Sequence, residues 1–331
     1  MNIRTKTIIA CVAFLLVIAL IAVALFLFGE KFGATHNTGD SPSASDSMNS
    51  MERVFIDGVA YLPDKNVKNY LVIGIDELGE VDSGGVAQAD FILILSVNKA
   101  DKTYRMISIN RDTMTEVTVC DIFGNKTGER VEQIALSHAY GSSFEITNPQ
   151  KCKNTVNAVS NLLYGVKFDS YISMTMDAVS ILVDEMGGVE VVVPQDLTAV
   201  DERLAEGETV LLDGKLVHEF IRARGELQDS TNLARMERQR IFLDAFLKKI
   251  KDSGIDKQGM IDQYEEISEY TVSNSGVEIF DELSVYMSEY ESLGMSSLEG
   301  ESVVGKEFME FYVDEEALKA LVIDVFFKKE K

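Results

Sequence analysis

The 331-residue chain has no Trp, four Pro, three Cys and three His, and its 31 Lys+Arg fall far short of its 54 Asp+Glu, giving a formal charge of −23. Each scarcity closes a route. A chain this acidic lacks the basic surface that general nucleic-acid binding needs, so no nucleic acid is expected as a partner. Three cysteines are too few for a disulfide scaffold, there is no CxxC, and His36, His138 and His218 do not stand at metal-ligand spacing. There is no GxxxxGK before Ser or Thr, no GxGxxG after a strand, no HExxH and no GxSxG. Long apolar runs are equally rare. There is one.

That run, Ile8 to Gly29, is 22 residues without a charge, long enough to cross a hydrocarbon core of ~30 Å as a helix. Arg4 and Lys6 precede it, which predicts residues 1–7 in the cytoplasm and everything after the run outside. A cleaved signal peptide would have a shorter apolar core and a small-x-small site; Glu30-Lys31-Phe32 follows instead. The expectation is a single-pass protein of the cell membrane. It has an anchor over 8–29, a flexible tether over 30–50 and one extracytoplasmic domain over 51–331. Outside the membrane the net charge is −25, since the first 29 residues carry two positive charges and no acid. Cys120 and Cys152 are the two thiols of that part, and in an oxidising compartment they are expected to form a structural disulfide, the alternative being two separate buried thiols.

At 46% apolar residues the chain can bury a sizeable core. Tyr70–Ile75, Phe91–Val97, Thr103–Ile109, Tyr171–Met176 and Val189–Val193 read as strands. They interleave with helices over Asn154–Leu163, Asp177–Met186, a segment after Asp213-Gly214, Asn232 to about Ile250, and from Asp314. Two acidic amphipathic helices are expected in the last 80 residues. This alternation predicts a single α/β layered domain with helices on both faces of a sheet.

Two clusters carry chemistry. A hairpin turn near Asp101 pairs positions summing to about 202, which sets Asp90 opposite Asp112, with Asp76 ending a neighbouring strand. Facing carboxylates repel unless a cation lies between them, so Asp90 and Asp112 are candidate ligands for Mg²⁺, with Mn²⁺ as a substitute. The competing reading is that the strands splay and both are solvated. The second cluster is arginine. Arg222 and Arg224 precede a helix on which Arg235, Arg238 and Gln239 share an arc of ~100°. Convergent guanidiniums suit a pyrophosphate; a helix face laced by salt bridges is the alternative. Residues 215–251 hold nine Lys+Arg and five Asp+Glu, a basic island in an acidic chain.

In order along the chain, YLVIGID at Tyr70–Asp76, Ala89-Asp90, NRDTM at Asn110–Met114, LSHAYG at Leu136–Gly141 and DEMGGVEVVVP at Asp184–Pro194 are followed by Leu212-Asp213-Gly214, Ile221–Arg224 and LARMERQR at Leu233–Arg240. With the single anchor, this series resembles the LytR-CpsA-Psr family of cell-wall glycopolymer transferases. The resemblance implies a three-layer α/β/α sandwich with a central mixed sheet, an apolar pocket for a polyprenyl chain, a magnesium ion on Asp90 and Asp112, and a pyrophosphate held by Arg111, Arg222, Arg224, Arg235, Arg238 and Gln239. Asp90, Asp112, Arg111, Arg222 and Arg224 would be the catalytic set. The implied reaction moves a glycan 1-phosphate (teichoic acid, capsule or a similar polymer) from undecaprenyl pyrophosphate to a hydroxyl of peptidoglycan. Three positions depart from the family pattern: Gln88 and Phe91 around the first aspartate, and Asn232 before the long helix. A weak or inactive module of the same fold that binds lipid-linked glycan or peptidoglycan, or a polyprenyl-pyrophosphate pyrophosphatase, therefore stay open as alternatives.

Overall fold

The computed structural model describes residues 53–76, 87–141, 148–223, 232–253, 266–275, 285–286, 289–306 and 308–329. The apolar run of the proposed anchor and its tether lie outside them. Among the described residues no helix is long and apolar enough to cross a membrane.

In chain order the elements are β1 (Val54–Ile56), β2 (Val59–Pro63), β3 (Val67–Asp76), β4 (Gln88–Asn98), β5 (Thr103–Ile109), β6 (Met114–Cys120), β7 (Lys126–Gln133), α1 (Leu136–Ala139), α2 (Pro149–Leu162), β8 (Ser170–Thr175), α3 (Met176–Glu185), β9 (Val189–Val192), β10 (Thr209–Leu212), α4 (Gly214–Arg222), α5 (Asn232–Ser253), β11 (Thr271–Ser273), β12 (Glu291–Ser297), β13 (Gly300–Val304), β14 (Met309–Val313), α6 (Glu315–Phe326) and β15 (Phe327–Lys329). Six strands form the central sheet in the order β11-β8-β3-β4-β5-β12. The β3–β8 and β5–β12 pairs are parallel and the other three antiparallel, so the sheet is mixed as expected.

Side-chain alternation along the strands creates two apolar faces. Leu71, Ile73 and Ile75 of β3 join Ile92, Ile94, Ile107 and Ile109 against α2 and α6, through Val159, Leu318 and Val322. On the other face Val72 packs with Leu182 of α3, Phe220 of α4 and Phe242 and Phe246 of α5. Helices therefore cover both faces. Local signals start two of them. Asp213 accepts from the Leu216 N–H at 2.6 Å to cap α4, and Asp314 accepts from Glu316 and Ala317 to cap α6. Asp177 lies in the first turn of α3 rather than at its cap, which is Thr175.

Two expectations are corrected. Asn98 pairs with Thr103 and Ser96 with Arg105, so β4–β5 positions sum to 201 and the expected register is off by one. The cause is the turn, which Asn98 closes by accepting from the N–H groups of Ala100 and Asp101. The cysteines are free thiols. Cys120 sits half-buried at the end of β6, whereas Cys152 lies in α2 within the apolar cluster beneath the sheet.

Candidate anion and cation site

One end of the central strands β3 and β4 gathers the charges, and a bulge explains how. Strict alternation would send Asp90 to the same face as Ile92 and Ile94. The β3–β4 register shifts between Gly74 and Ile75, so that Gly74 opposes Phe91 while Ile75 opposes Ala89. The extra residue inverts the phase. Ala87 and Ala89 take the apolar face with Ile73 and Ile75, and Asp90 turns with Phe91 towards α5. Gly74 is required here, because a Cβ on it would lie 2.9 Å from the Phe91 Cβ.

Past the end of β5 the chain makes an Asx-type turn. Asn110 accepts from the Asp112 N–H at 2.9 Å, and the Thr113 hydroxyl donates to the Asn110 carbonyl at 2.6 Å. Arg111 and Asp112 are thereby presented side by side. Gln133 at the end of β7 donates through Nε2 both to Asp112 Oδ1 (2.9 Å) and to the Met309 carbonyl (2.7 Å), which fixes the carboxylate against β14.

Arg111 joins the two aspartates. Its Nη1 donates to Asp90 Oδ1, its Nη2 to Gln88 Oε1, and its Nε lies 3.5 Å from Asp112 Oδ1. Arg235 on α5 donates to the other Asp90 oxygen at 3.0 Å, and Arg222 at the end of α4 pairs with Asp76 at 3.1 Å. Three arginines thus meet three aspartates, the six residues coming from five separate segments of the chain. Arg238 behaves differently. It is fully buried, and its Nε and Nη2 donate to the carbonyls of Phe220 and Ala223 at 2.9 and 2.6 Å, capping the C-terminal end of α4. Arg224 lies outside the described residues.

The expected opposition of Asp90 and Asp112 takes the form of two carboxylates sharing one guanidinium. Two hard oxygen donors converging on one cation fit Mg²⁺ or Mn²⁺, with water or phosphate oxygens filling the remaining positions. Among the described residues no cluster of three or more His, Cys, Asp or Glu has metal-binding geometry.

Beside the charges an apolar pocket opens between the sheet and α3, α4 and α5. Val72, Leu93, Val179, Leu182, Phe242 and Phe246 line it. Gly74, Phe91, Thr175 and Gln239 also line it, and they adjoin the charged residues: Phe91 follows Asp90, Gln239 lies one helical turn beyond Arg235, and Thr175 pairs with Ile75. Thr175 Oγ1 is buried without a hydrogen-bond partner. Sequence reasoning missed Gln133 and Thr175. Gln133 ends an otherwise exposed, charged strand and carries no periodic signal; Phe242 and Phe246, stacked at 5.4 Å, were missed too, although their i,i+4 spacing could have marked them.

A rim of paired arginines and aspartates thus lies beside an apolar pocket. Residues 30–323 match the LytR_cpsA_psr family, and the chain belongs to it. It is 29% identical over 249 residues to the polyisoprenyl-teichoic acid–peptidoglycan teichoic acid transferase TagU of Oceanobacillus iheyensis, covering 75% of this chain and 71% of that protein. The TagU of Halalkalibacterium halodurans is 30% identical over 58% of this chain and 56% of its own length. Among solved structures, Bacillus subtilis TagV superposes with a TM-score of 0.58 at 21% identity, covering 79% of this chain and 96% of that one. TagT bound to LI-WTA gives 0.57 at 21% identity, over 79% and 90%. These two structures establish the fold.

Proposed function

We propose that this protein is a membrane-anchored phosphotransferase that moves a teichoic-acid-type glycan 1-phosphate from undecaprenyl pyrophosphate to a peptidoglycan hydroxyl. The observation that carries it is the adjacency of the apolar pocket to the Arg111–Arg222–Arg235 rim, which matches a lipid tail continuous with a diphosphate. The TagU and TagV names among its relatives supply the polymer and the acceptor. Residues 8–29 serve as the membrane anchor, with the catalytic domain on the outer side.

In this reading the prenyl chain lies between β3, β4 and α5, and Gln239 and the arginines grip the diphosphate. Guanidiniums suit this role because each can donate two parallel hydrogen bonds to phosphate oxygens. Asp90 and Asp112 would hold Mg²⁺, whose charge would neutralise the diphosphate. The acceptor hydroxyl attacks the glycan-bearing phosphorus as a site carboxylate takes its proton. The new P–O bond forms as the P–O–P bridge breaks, and undecaprenyl phosphate leaves with its negative charge met by arginine. Arg238 belongs to the scaffold of the site through its cap on α4.

The test uses the detergent-solubilised full chain with Mg²⁺, a lipid-pyrophosphate-linked glycan and peptidoglycan oligomers. Phosphodiester-linked product that disappears in Asp112→Asn supports the transferase. Glycan phosphate released without acceptor would make it a pyrophosphatase, and saturable lipid binding without turnover would make it a binding module.

A further inference from the structure

We propose that Arg111 and the divalent cation compete for the same carboxylate oxygens, so that the cation is held tightly only once a diphosphate draws Arg111 away. This rests on the reading of Asp90 and Asp112 as the cation's ligands. Asp90 spends one oxygen on Arg111 and the other on Arg235. Asp112 faces Arg111 Nε with the same oxygen that accepts from Gln133. A magnesium ion needs its oxygens at ~2.0–2.1 Å, a distance at which no guanidinium N–H can stand between them. The side chains of Asp90, Arg111 and Asp112 are each only 12% exposed, so solvent cannot screen two cations placed there together.

A diphosphate resolves the conflict. It offers Arg111 a planar, multiply charged partner in exchange for the aspartates, and frees those oxygens as it arrives. Cation and diphosphate then bind with positive coupling, each raising the affinity of the other by the same factor. Gln88 opposes the exchange, since its Oε1 accepts from Arg111 Nη2 and holds the guanidinium on the carboxylate side. The physical consequence is an order of binding: the site takes its cation with the lipid head group rather than before it.

The experiment measures Mn²⁺ binding to the solubilised full chain by electron paramagnetic resonance of the free ion, without any phosphate. Arg111→Gln is expected to bind Mn²⁺ about tenfold or more tightly than the native chain, the scale of one charge-assisted contact released. Arg222→Gln, which removes the same charge from the Asp76 pair, is expected to change the affinity by less than about twofold. Adding Asp90→Asn to Arg111→Gln should abolish the gain. Arg111→Met, which keeps the aliphatic stem, serves if Arg111→Gln unfolds. Native affinity equal to that of Arg111→Gln, and lost in Asp90→Asn, overturns the competition while leaving the cation reading intact. An equal gain in Arg222→Gln overturns it in favour of a general field effect. No Mn²⁺ binding by a folded Arg111 variant overturns both.

Discussion

Two polar clusters are buried on opposite faces of the same sheet, and they solve the cost of burial in opposite ways. Towards α5, charge meets charge: Arg111, Arg222 and Arg235 pair with Asp90, Asp112 and Asp76. Towards α1 and α2, neutral side chains pair with one another and with backbone carbonyls, with the buried Lys151 beside them. Ser137 donates to Thr155 at 3.0 Å, and Asn154 donates to the carbonyls of Ser137 (2.6 Å) and Thr118 (2.9 Å). His138, wholly enclosed, has its Nδ1 3.2 Å from the Ala87 carbonyl. Burial pushes its pKa down to about 4, with the Lys151 charge adding to the shift and the Ala87 contact opposing it. Ion pairs can exchange partners when an anionic ligand arrives, whereas a closed neutral network has nothing to exchange. The first cluster is suited to function and the second to holding α1 and α2 beneath β4.

The largest effect should separate the clusters by what they lose. Asp112→Asn keeps the shape of the side chain and an oxygen for Gln133, and should lower transfer by about 10²–10³-fold, the scale of one removed electrostatic contributor. Its unfolding midpoint should stay close to native. If activity persists, the ionic cluster is scaffold and the comparison fails.

Arg238→Ala should show the converse. The residue sits one helical turn from Arg235 yet faces the carbonyls of Phe220 and Ala223. Losing two charge-assisted hydrogen bonds at a buried helix end should cost about 3 kcal/mol in denaturant unfolding. A variant of native stability with impaired lipid binding would return Arg238 to the diphosphate set.

That turn of α5 marks where sequence reasoning stopped. Helical periodicity placed Arg235, Arg238 and Gln239 on one arc, and the arc is real, but about 60° of rotation separates an arginine paired with Asp90 from a structural cap. Periodicity cannot resolve that. The hairpin shows the same limit. Its strands were legible from their apolar runs, yet the register slipped by one because turn length is a local matter of Asn98. The bulge at Asp90 has no signature beyond Gly74, and it is the bulge that turns Asp90 towards the arginines. The β6–β7 hairpin was missed because Lys126–Arg130 is wholly exposed and lacks apolar alternation. Motif order, by contrast, carried the family and the mixed sheet together.

On the neutral side, pH should act through His138. Its folded pKa of about 4 lies below the ordinary 6.5, so the unfolded chain binds the extra proton between those values. Stability from this group is complete above pH ~6.5 and falls as pH drops towards 4, by up to about 3 kcal/mol. Carboxylates protonate in the lower part of this window, so the difference between native and His138→Gln isolates the contribution. The variant should be less stable at neutral pH if it cannot reproduce the Ala87 contact, but its stability should decline less steeply between pH 6.5 and 4.5. Parallel profiles would mean that His138 takes up its proton as readily in the fold as in the unfolded chain, so that burial does not hold it neutral.

The smallest effect concerns the thiols. Cys152 packs in the same buried layer as the neutral network, and burial pushes its thiol up to about 11. Cys120 is half-buried, and burial and the charge of Asp121 raise its pKa too. Disulfide exchange requires a thiolate, so neither is poised to react at neutral pH, Cys152 least of all. A bridge closing this loop would contribute about 3–4 kcal/mol, which a reductant would remove. Separate thiols predict instead that dithiothreitol leaves the unfolding midpoint in place and that Cys120→Ser changes stability by no more than about 0.5 kcal/mol. Alkylation of the native protein, mapped by mass spectrometry, should modify Cys120 well before Cys152. If neither is modified until reductant is added, the two are bridged.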